Sequence, residues 1–192
     1  EDATTEYNGS EQYGNTQYAF SNVVSGQTAT ITYSPAHGKL VNTYDNGSYG
    51  NDFKVMAGNE DVTSNYTLGI KTKGKLTITD RKNPYEITVV AKSNTGNVYD
   101  GTVKKAEGFE TLEFTVDGNK YTVSGLTTSD PSSKNVCDLP NTISGTAVVK
   151  DADENDVTDQ FTVNKTNGKL EITAREVTVS VEDATTEYNG SE

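Results

Sequence analysis

Several residue types that mark common protein classes are scarce in this 192-residue chain. It has no tryptophan, one cysteine, one methionine and one histidine, and only 32 % of its residues are apolar. So small an apolar share cannot fill one broad core, and it favours thin β modules in which half of each strand faces water. A single cysteine excludes an intramolecular disulfide. We interpret Cys137 as a partly buried small hydrophobe, with an intermolecular cross-link between copies as the alternative.

Positive charge is also in short supply. Sixteen lysines and arginines stand against 28 acidic residues, which gives a net charge of −12. Such a charge repels nucleic acid and anionic membranes, so we expect neither as a partner. No run approaches the ~20 apolar residues of a membrane-spanning helix. The first residues also lack the basic and apolar regions of a signal peptide. We expect no membrane insertion, and we expect any export signal or anchor to lie outside the printed sequence.

The residue patterns of common active sites are missing as well. His37 is the only histidine and lies in SPAHGKL, so a histidine-based triad or a multi-histidine metal site lacks partners. There is no Walker pattern and no Gly-x-Gly-x-x-Gly. We therefore predict a protein that is not an enzyme and needs no cofactor, with His37 in a surface loop.

What the chain has instead is repetition. The eleven residues EDATTEYNGSE at 1–11 return without change at 182–192, a period of 181 residues. Exact recurrence at a fixed period is typical of a repeat protein. The chain should therefore be interpreted as one period of a repeat together with the start of the next.

The hydrophobic pattern is that of β-strands from end to end. Apolar and polar residues alternate in TATITY, DFKVMA, GTAVVKD, KLTIT and KLEIT. Alternating segments also flank Asp117-Gly118, which is the strongest short-range signal for a hairpin. No stretch has a helical period, so we predict an all-β fold.

A second, weaker repeat divides the 181-residue period in two. Tyr7-Asn8-Gly9 matches Tyr99-Asp100-Gly101, and Asp61–Arg81 matches Asp156–Arg175. The resulting modules of about 90 residues have the size of an immunoglobulin-like sandwich. We therefore predict two tandem immunoglobulin-like β-sandwich modules in an elongated rod.

The predicted module bounds are residues 1–83 for module one and 84–174 for module two. The joint between them, DRKNP, is short and charged, and its proline prevents a continuous strand. A joint of this kind limits swinging, so we expect a fairly stiff connection. In both modules a glycine, Gly74 or Gly168, precedes the last strand, where we predict a tight return with a positive φ.

The two modules differ at their starts. Module two has an apolar strand, Ile87–Ala91, ahead of its Tyr-Asp-Gly, whereas module one has none. The counterpart lies at the other end of the chain, where Val177, Val179 and Val181 alternate. We predict that residues 175–192 are the first strand and turn of the next repeat copy. Either the sequence is cut from a longer tandem array, or this strand is donated to the open sheet of a neighbouring copy, head to tail.

The segments NVYDGT, EYNGSE, NYTLGIKTKGKLTIT and FTVNKTNGKLEIT resemble the YDG and MBG families of bacterial immunoglobulin-like repeats. Those families belong to secreted and cell-surface adhesin-like proteins. The resemblance implies an extracellular β-sandwich repeat, secreted or on a bacterial surface, that acts as a stalk, spacer or filament without catalytic residues. Asn8 stands where the usual motif has Asp, and both residue types tolerate the turn.

One acidic stretch, DADENDVTD, is a candidate metal site. Asp151, Asp153 and Asn155 alternate as in a calcium loop. However, Asp156 stands where such a loop needs glycine, and Thr162 where it needs a bidentate glutamate. A solvated hairpin turn is the preferred interpretation, and calcium is the alternative.

Tyrosines supply the alternative function. Exposed aromatic clusters can stack on sugars, although tyrosine is also favoured in strands and the chain has no tryptophan. The alternative to a structural repeat is thus an adhesin module that binds host glycan or protein through the loops and tyrosines of module one. The tyrosines in question are Tyr13, Tyr18, Tyr33, Tyr44 and Tyr49.

Overall fold

The computed structural model describes residues 1–191. Strands hold 46 % of the residues, and the helical content is limited to the short 3-10 turns Thr63–Asn65 and Thr158–Gln160. The predicted all-β class is therefore confirmed. Within these residues no helix is both long enough and apolar enough to span a membrane.

Most of the strands are short, and the longest are β15 with 10 residues and β18 with 9 residues. The first ten are β1 (Ala3–Glu6), β2 (Gln12–Tyr13), β3 (Gln27–Thr30), β4 (Tyr33–Ser34), β5 (His37–Gly38), β6 (Asn42–Tyr44), β7 (Ser48–Tyr49), β8 (Lys54–Ala57), β9 (Glu60–Asp61) and β10 (Leu76–Thr79). The next are β11 (Tyr85–Val90), β12 (Asn94–Val98), β13 (Lys104–Lys105), β14 (Glu113–Val116), β15 (Asn119–Thr128), β16 (Ser132–Ser133), β17 (Cys137–Asn141), β18 (Ile143–Asp151), β19 (Phe161–Thr166) and β20 (Gly168–Thr173).

The chain forms two compact units, each built from separate stretches of sequence. Unit 1 contains residues 1–88, 111–126 and 146–164. Unit 2 contains residues 89–110, 127–145 and the described residues from 165 onward. These bounds differ from the predicted modules at 1–83 and 84–174, and the modules stay a prediction.

Unit 1 contains a three-stranded sheet with the order β1-β10-β6. β1 runs parallel to β10, with Ala3 opposite Leu76 and Thr5 opposite Ile78, and β6 pairs with β10 antiparallel. Leu76 and Ile78 are both almost fully buried. The alternation in KLTIT predicted a strand, and the strand is confirmed with Leu76 and Ile78 on one buried face, because alternate residues of a strand share one face.

Unit 2 contains the same sheet, built from the matching segments in the order β12-β20-β17. β12 runs parallel to β20 and β17 pairs with it antiparallel, and Leu170 and Ile172 are buried. One difference is a bulge in β12: Asn94 and Asn97 face consecutive inward residues of β20, so β12 has one residue more than β1. Gly96, with φ +75°, lies inside this bulge.

Side-chain contacts recur with the sheets. In unit 1 the Arg81 guanidinium donates a hydrogen bond to the carbonyl oxygen of Tyr7, at 3.0 Å. In unit 2 Arg175 donates to the carbonyl oxygen of Tyr99, at 2.8 Å. The internal sequence repeat therefore corresponds to a repeated local structure.

The hairpin predicted at Asp117-Gly118 is confirmed. β14 and β15 pair antiparallel with Phe114 opposite Tyr121. Asp117 has φ +48° and Gly118 has φ +80°, which are the two positive φ values that a tight hairpin turn requires.

The paired glycines behave differently from each other. Gly74 has φ +70°, as predicted for a tight return. For Gly168 the same prediction is wrong, because this residue begins β20 with an ordinary extended backbone. Glycine is needed here because the backbone of Lys92 passes very close: a Cβ on residue 168 would lie 2.2 Å from the carbonyl oxygen of Lys92.

The last described residues form no strand, and the apolar ones among them are exposed. Val177, Val179 and Val181 are 87 %, 95 % and 94 % exposed. Tyr188 is 96 % exposed, whereas Tyr7, which occupies the same position in the repeat, is fully buried. The assignment of residues 175–192 to a following copy stays a prediction, and Glu192 lies outside the described residues.

We expect Gly168→Ala to lower the free energy of unfolding of unit 2 by about 1–3 kcal/mol, because the backbone of Ala91 and Lys92 must move away to admit the methyl group. Urea denaturation measures the effect. The matched control is Gly69→Ala, where φ is ordinary and no atom lies within 4 Å of the new Cβ. Equal effects of the two substitutions would contradict the packing role of Gly168.

Candidate interaction groove and polar interlock

A groove of about 270 Å³ opens on unit 1 beside residues 66–72. We call it the unit 1 groove. Two of its lining residues, Ile31 and Val55, belong to the buried core, and Ile70 at its edge is 52 % exposed. Its other apolar lining residues include Phe20, Phe53, Tyr66 and Leu68.

One wall of the unit 1 groove is backbone without a strand partner. Among the described residues, 67–71 are in no strand and make no backbone–backbone hydrogen bond. The matching segment of the internal repeat, β19, pairs with β11. The free N–H and C=O groups of residues 67–71 therefore form an edge that could accept another strand.

Three of the five tyrosines proposed for ligand binding form a cluster, and two of them, Tyr18 and Tyr49, line the unit 1 groove. The ring centroids of Tyr18, Tyr33 and Tyr49 lie 4.8–6.3 Å apart. Their hydroxyls donate to backbone carbonyl oxygens, those of Ile31 (2.7 Å), Lys73 (2.5 Å) and Thr72 (3.1 Å) respectively. Burial, followed by the proximity of Tyr49, raises the pKa of Tyr33 above its ordinary value. These hydrogen bonds connect segments of unit 1 that are distant in sequence.

The other two tyrosines have different neighbours. Tyr13 is 61 % exposed and stacks on His37, with ring centroids 5.8 Å apart. The Tyr44 ring packs directly on Gly38, and its hydroxyl donates to the Leu40 carbonyl oxygen at 2.9 Å. His37 is exposed as expected, but the prediction of a loop is wrong, because His37 lies in β5 opposite Tyr13.

A second feature of unit 1 is a buried polar interlock around Tyr7. The Tyr7 hydroxyl lies 3.4 Å from the hydroxyl of Tyr121, and both rings are buried. Burial, together with the bond to Tyr121, raises the pKa of Tyr7 well above its ordinary value of 10.0. The sequence motif marked Tyr7 only as part of a turn, and Tyr99, its match, is 38 % exposed.

Arg81 connects the interlock to the predicted joint at residues 80–84. Its guanidinium donates to the carbonyl oxygens of Tyr7 and Asn83, both at 3.0 Å. The same group lies 3.8 Å from the centre of the Tyr85 ring, in the geometry of a cation–π contact. Burial and a hydrogen bond to Asp117 raise the pKa of Tyr85 to about 12.

Gln160 completes the interlock from the second 3-10 turn. Its side chain is buried, donates to the Asp80 carboxylate at 2.6 Å and accepts from the Arg81 backbone N–H at 3.0 Å. A buried amide with both ends satisfied fixes its neighbours in one arrangement. The joint is therefore held by residues about 80 positions away in sequence, which no local pattern could reveal.

The candidate calcium residues form a third polar site in unit 1. Asp151 is 3 % exposed, and its carboxylate accepts from the backbone N–H groups of Asp153 and Asn155, both at 2.9 Å. The Lys39 ammonium lies 3.1 Å from it and 2.6 Å from the Asp153 carboxylate. A lysine thus supplies the positive charge beside this carboxylate.

The charge state of Asp151 follows from these contacts. Burial by itself would raise the pKa of Asp151, but hydrogen bonds from Asn155, Lys39 and Asp153 outweigh it and hold the pKa below 3.8. Within residues 1–191 no group of three or more His, Cys, Asp or Glu side chains is placed to hold a metal. Calcium at this turn stays an untested alternative.

The single cysteine belongs to the small core of unit 2. Cys137 is half-buried and packs against Ala106, Leu170 and Ile172. Its position in β17, opposite Ile172, explains this environment.

We expect Asp151→Asn to lower the free energy of unfolding by about 1–3 kcal/mol at neutral pH. Because the folded-state pKa of Asp151 is depressed, its contribution is complete above the unfolded pKa near 3.8 and is lost as the pH falls through the folded pKa. The difference between wild type and variant, measured by urea denaturation from pH 7 to pH 2, should therefore shrink below about pH 4. Asp153→Asn is the control, since its carboxylate is 67 % exposed and should matter less.

The two repeated arginines allow a matched comparison. Arg81→Lys removes the planar group that bonds two carbonyls and covers Tyr85, so we expect a loss of about 1–2 kcal/mol. Arg175→Lys, at the equivalent but exposed position, should change stability by less than about 0.5 kcal/mol. Thermal denaturation of both variants checks this, and a larger effect at Arg175 would show that the interlock is not important.

A scan against protein-family models found no match, and searches of curated proteins and of solved structures found none either. The resemblance to YDG and MBG repeats therefore rests on the sequence motifs alone.

Proposed function

We propose that this chain is a non-enzymatic structural repeat of an extracellular stalk or filament, made of two tandem immunoglobulin-like modules. The observation that carries the proposal is the exact return of EDATTEYNGSE after 181 residues. Such repetition serves extension, because each added copy lengthens the protein by the same unit. The resemblance adds the location, which is a bacterial cell surface or the secreted fraction.

The interlock supports a mechanical role. Tyr7 and Gln160 hold Arg81, and with it the predicted joint at residues 80–84, through partly buried hydrogen bonds. A flexible linker would need none of these contacts. These contacts lie within unit 1 and fix the segment that we predicted as the joint between modules.

Charge and partners fit the same role. A net charge of −12 keeps neighbouring molecules soluble and apart. The partners that we propose are further copies of the repeat, arranged head to tail.

Adhesion through the tyrosines is the second candidate function. Its supporting observation is the cluster of Tyr18, Tyr33 and Tyr49 at the unit 1 groove. We place it second because each hydroxyl in the cluster is already bonded to a backbone carbonyl, which leaves only ring faces for a sugar.

Proteins with one, two and three copies of the 181-residue period test the stalk. We expect the maximum dimension from small-angle X-ray scattering to rise in proportion to copy number, whereas a flexible chain would follow roughly the square root. The matched variant is Gln160→Ala in every copy, which should make the rise less steep. Compact particles at three copies would contradict the proposal.

A glycan array with the same proteins separates the two candidate functions. Uniform absence of binding favours the stalk. A specific signal that is lost in Tyr18→Ala and kept in Tyr13→Ala would favour the adhesin, because only Tyr18 belongs to the cluster at the groove.

A further inference from the structure

The unit 1 groove and the exposed tail are complementary features. The groove offers apolar side chains and an unpaired backbone edge at residues 67–71. The tail offers alternate valines, Val177, Val179 and Val181, with no strand partner among the described residues. The groove has a backbone edge without a partner strand, and the tail is an apolar segment without a partner edge in the part of the chain that the structure describes.

The internal repeat shows how such features combine. In the matching place β11 lies beside β19, and Ile87 and Val89 of β11 are buried, as is Ala91 just after the strand. The Tyr85 and Phe161 rings pack at one end, with centroids 5.5 Å apart. At the other end the Ala91 N–H donates to the Thr166 carbonyl oxygen at 2.9 Å.

The valines of the tail match the buried residues of β11. The two segments can be aligned on Tyr188 of the tail and Tyr99, its match in the internal repeat. The tail has one residue fewer before this tyrosine. With that difference included, the positions of Ile87, Val89 and Ala91 are occupied by Val177, Val179 and Val181. That residue is the bulge in β12, which β1 lacks. The three tail valines are thus in register with an apolar strand face, and the intervening Thr178 and Ser180 are not.

The position of the first residues places the groove in the same register. The Lys75 N–H donates to the Asp2 side chain at 2.9 Å, just as the Lys169 N–H donates to Ser93 at 3.1 Å. Asp2 therefore corresponds to Ser93, which follows Ala91 by two residues. The edge at residues 67–71 occupies the place at which β19 pairs with β11.

We propose that the unit 1 groove binds residues 175–181 of a second copy of this chain. Val177, Val179 and Val181 enter the groove, and the tail backbone pairs with residues 67–71. By correspondence with Ala91, the Val181 N–H donates to the Thr72 carbonyl oxygen. That oxygen already accepts from Tyr49, and a carbonyl has a second lone pair to offer.

Docking of this kind is open-ended. Each copy has one groove, in unit 1, and one tail, in unit 2, so a contact between two copies leaves a free tail and a free groove. Copies then add head to tail. The proposal rests on the proposed repeat function for the order of copies, and it adds the residues that join them.

The test uses the full chain and three variants. Val179→Asp places a charge on the apolar face of the tail, and Ile70→Asp places one at the groove. Both residues are exposed, 95 % and 52 %, so we expect both variants to keep the wild-type melting temperature. Thr178→Asp is the matched control, with the same charge on the opposite face of the tail.

Sedimentation velocity over a range of concentrations gives the result. We expect the wild type and Thr178→Asp to form a concentration-dependent series of assemblies. Val179→Asp and Ile70→Asp should each lower the association constant by at least about tenfold. Mixed together, these two variants should recover a one-to-one dimer and nothing larger, because only one intact tail–groove pair remains.

Three outcomes would overturn the proposal: a wild type that stays monomeric, a Thr178→Asp effect as large as that of Val179→Asp, or no dimer in the mixture. The stalk proposal is tested by different results from these three. If tandem arrays are extended but the single chain stays monomeric, the docking proposal is wrong and the stalk proposal stands. If tandem arrays are compact but the single chain associates as expected, the stalk proposal is wrong and the docking proposal stands.

Discussion

Burial of the Tyr7 ring is the interaction on which most of unit 1 depends. Tyr7 follows β1 directly, so its position fixes β1 beside β10 and hence the centre of the first sheet. Its carbonyl oxygen accepts a hydrogen bond from the Arg81 guanidinium, and its hydroxyl is hydrogen-bonded to the hydroxyl of Tyr121. A tyrosine that is fully buried must satisfy its hydroxyl, and here the satisfaction comes from a distant hairpin. One side chain thereby links the first strand, the joint and the hairpin at Asp117-Gly118.

The duplicated eleven residues separate local from tertiary causes. In both places the turn forms in the same way: Gly9 and Gly190 have φ +78°, and the Asn side chain accepts from the backbone two residues on. The tyrosine ahead of the turn is buried in one place and exposed in the other. Turn geometry is therefore encoded in the segment, because it needs only neighbouring atoms. Burial of the tyrosine needs a partner surface that only the first copy finds.

The same distinction explains what the sequence could predict. Alternation and turn residues predicted the all-β class, the hairpin and the buried faces of Leu76 and Leu170, since these depend on periods of two and on local backbone angles. The interlock was beyond reach, because Gln160 and Asp80 meet only after folding. Gly168 was misinterpreted for a similar reason: its neighbour Lys92 lies 76 positions away, and close approach leaves no mark on the local pattern.

The bulge in β12 has a consequence for which strands can pair. The residues of β1 return in the tail, so each molecule has two identical segments and two similar sheets that could receive them. β20 takes a strand with one extra residue at Gly96, whereas β10 takes a strand without it. A strand of the β1 type laid on β20 would slip by one residue and turn its inward face to water. A single inserted residue thus distinguishes the strand that fits β20 from the strand that fits β10.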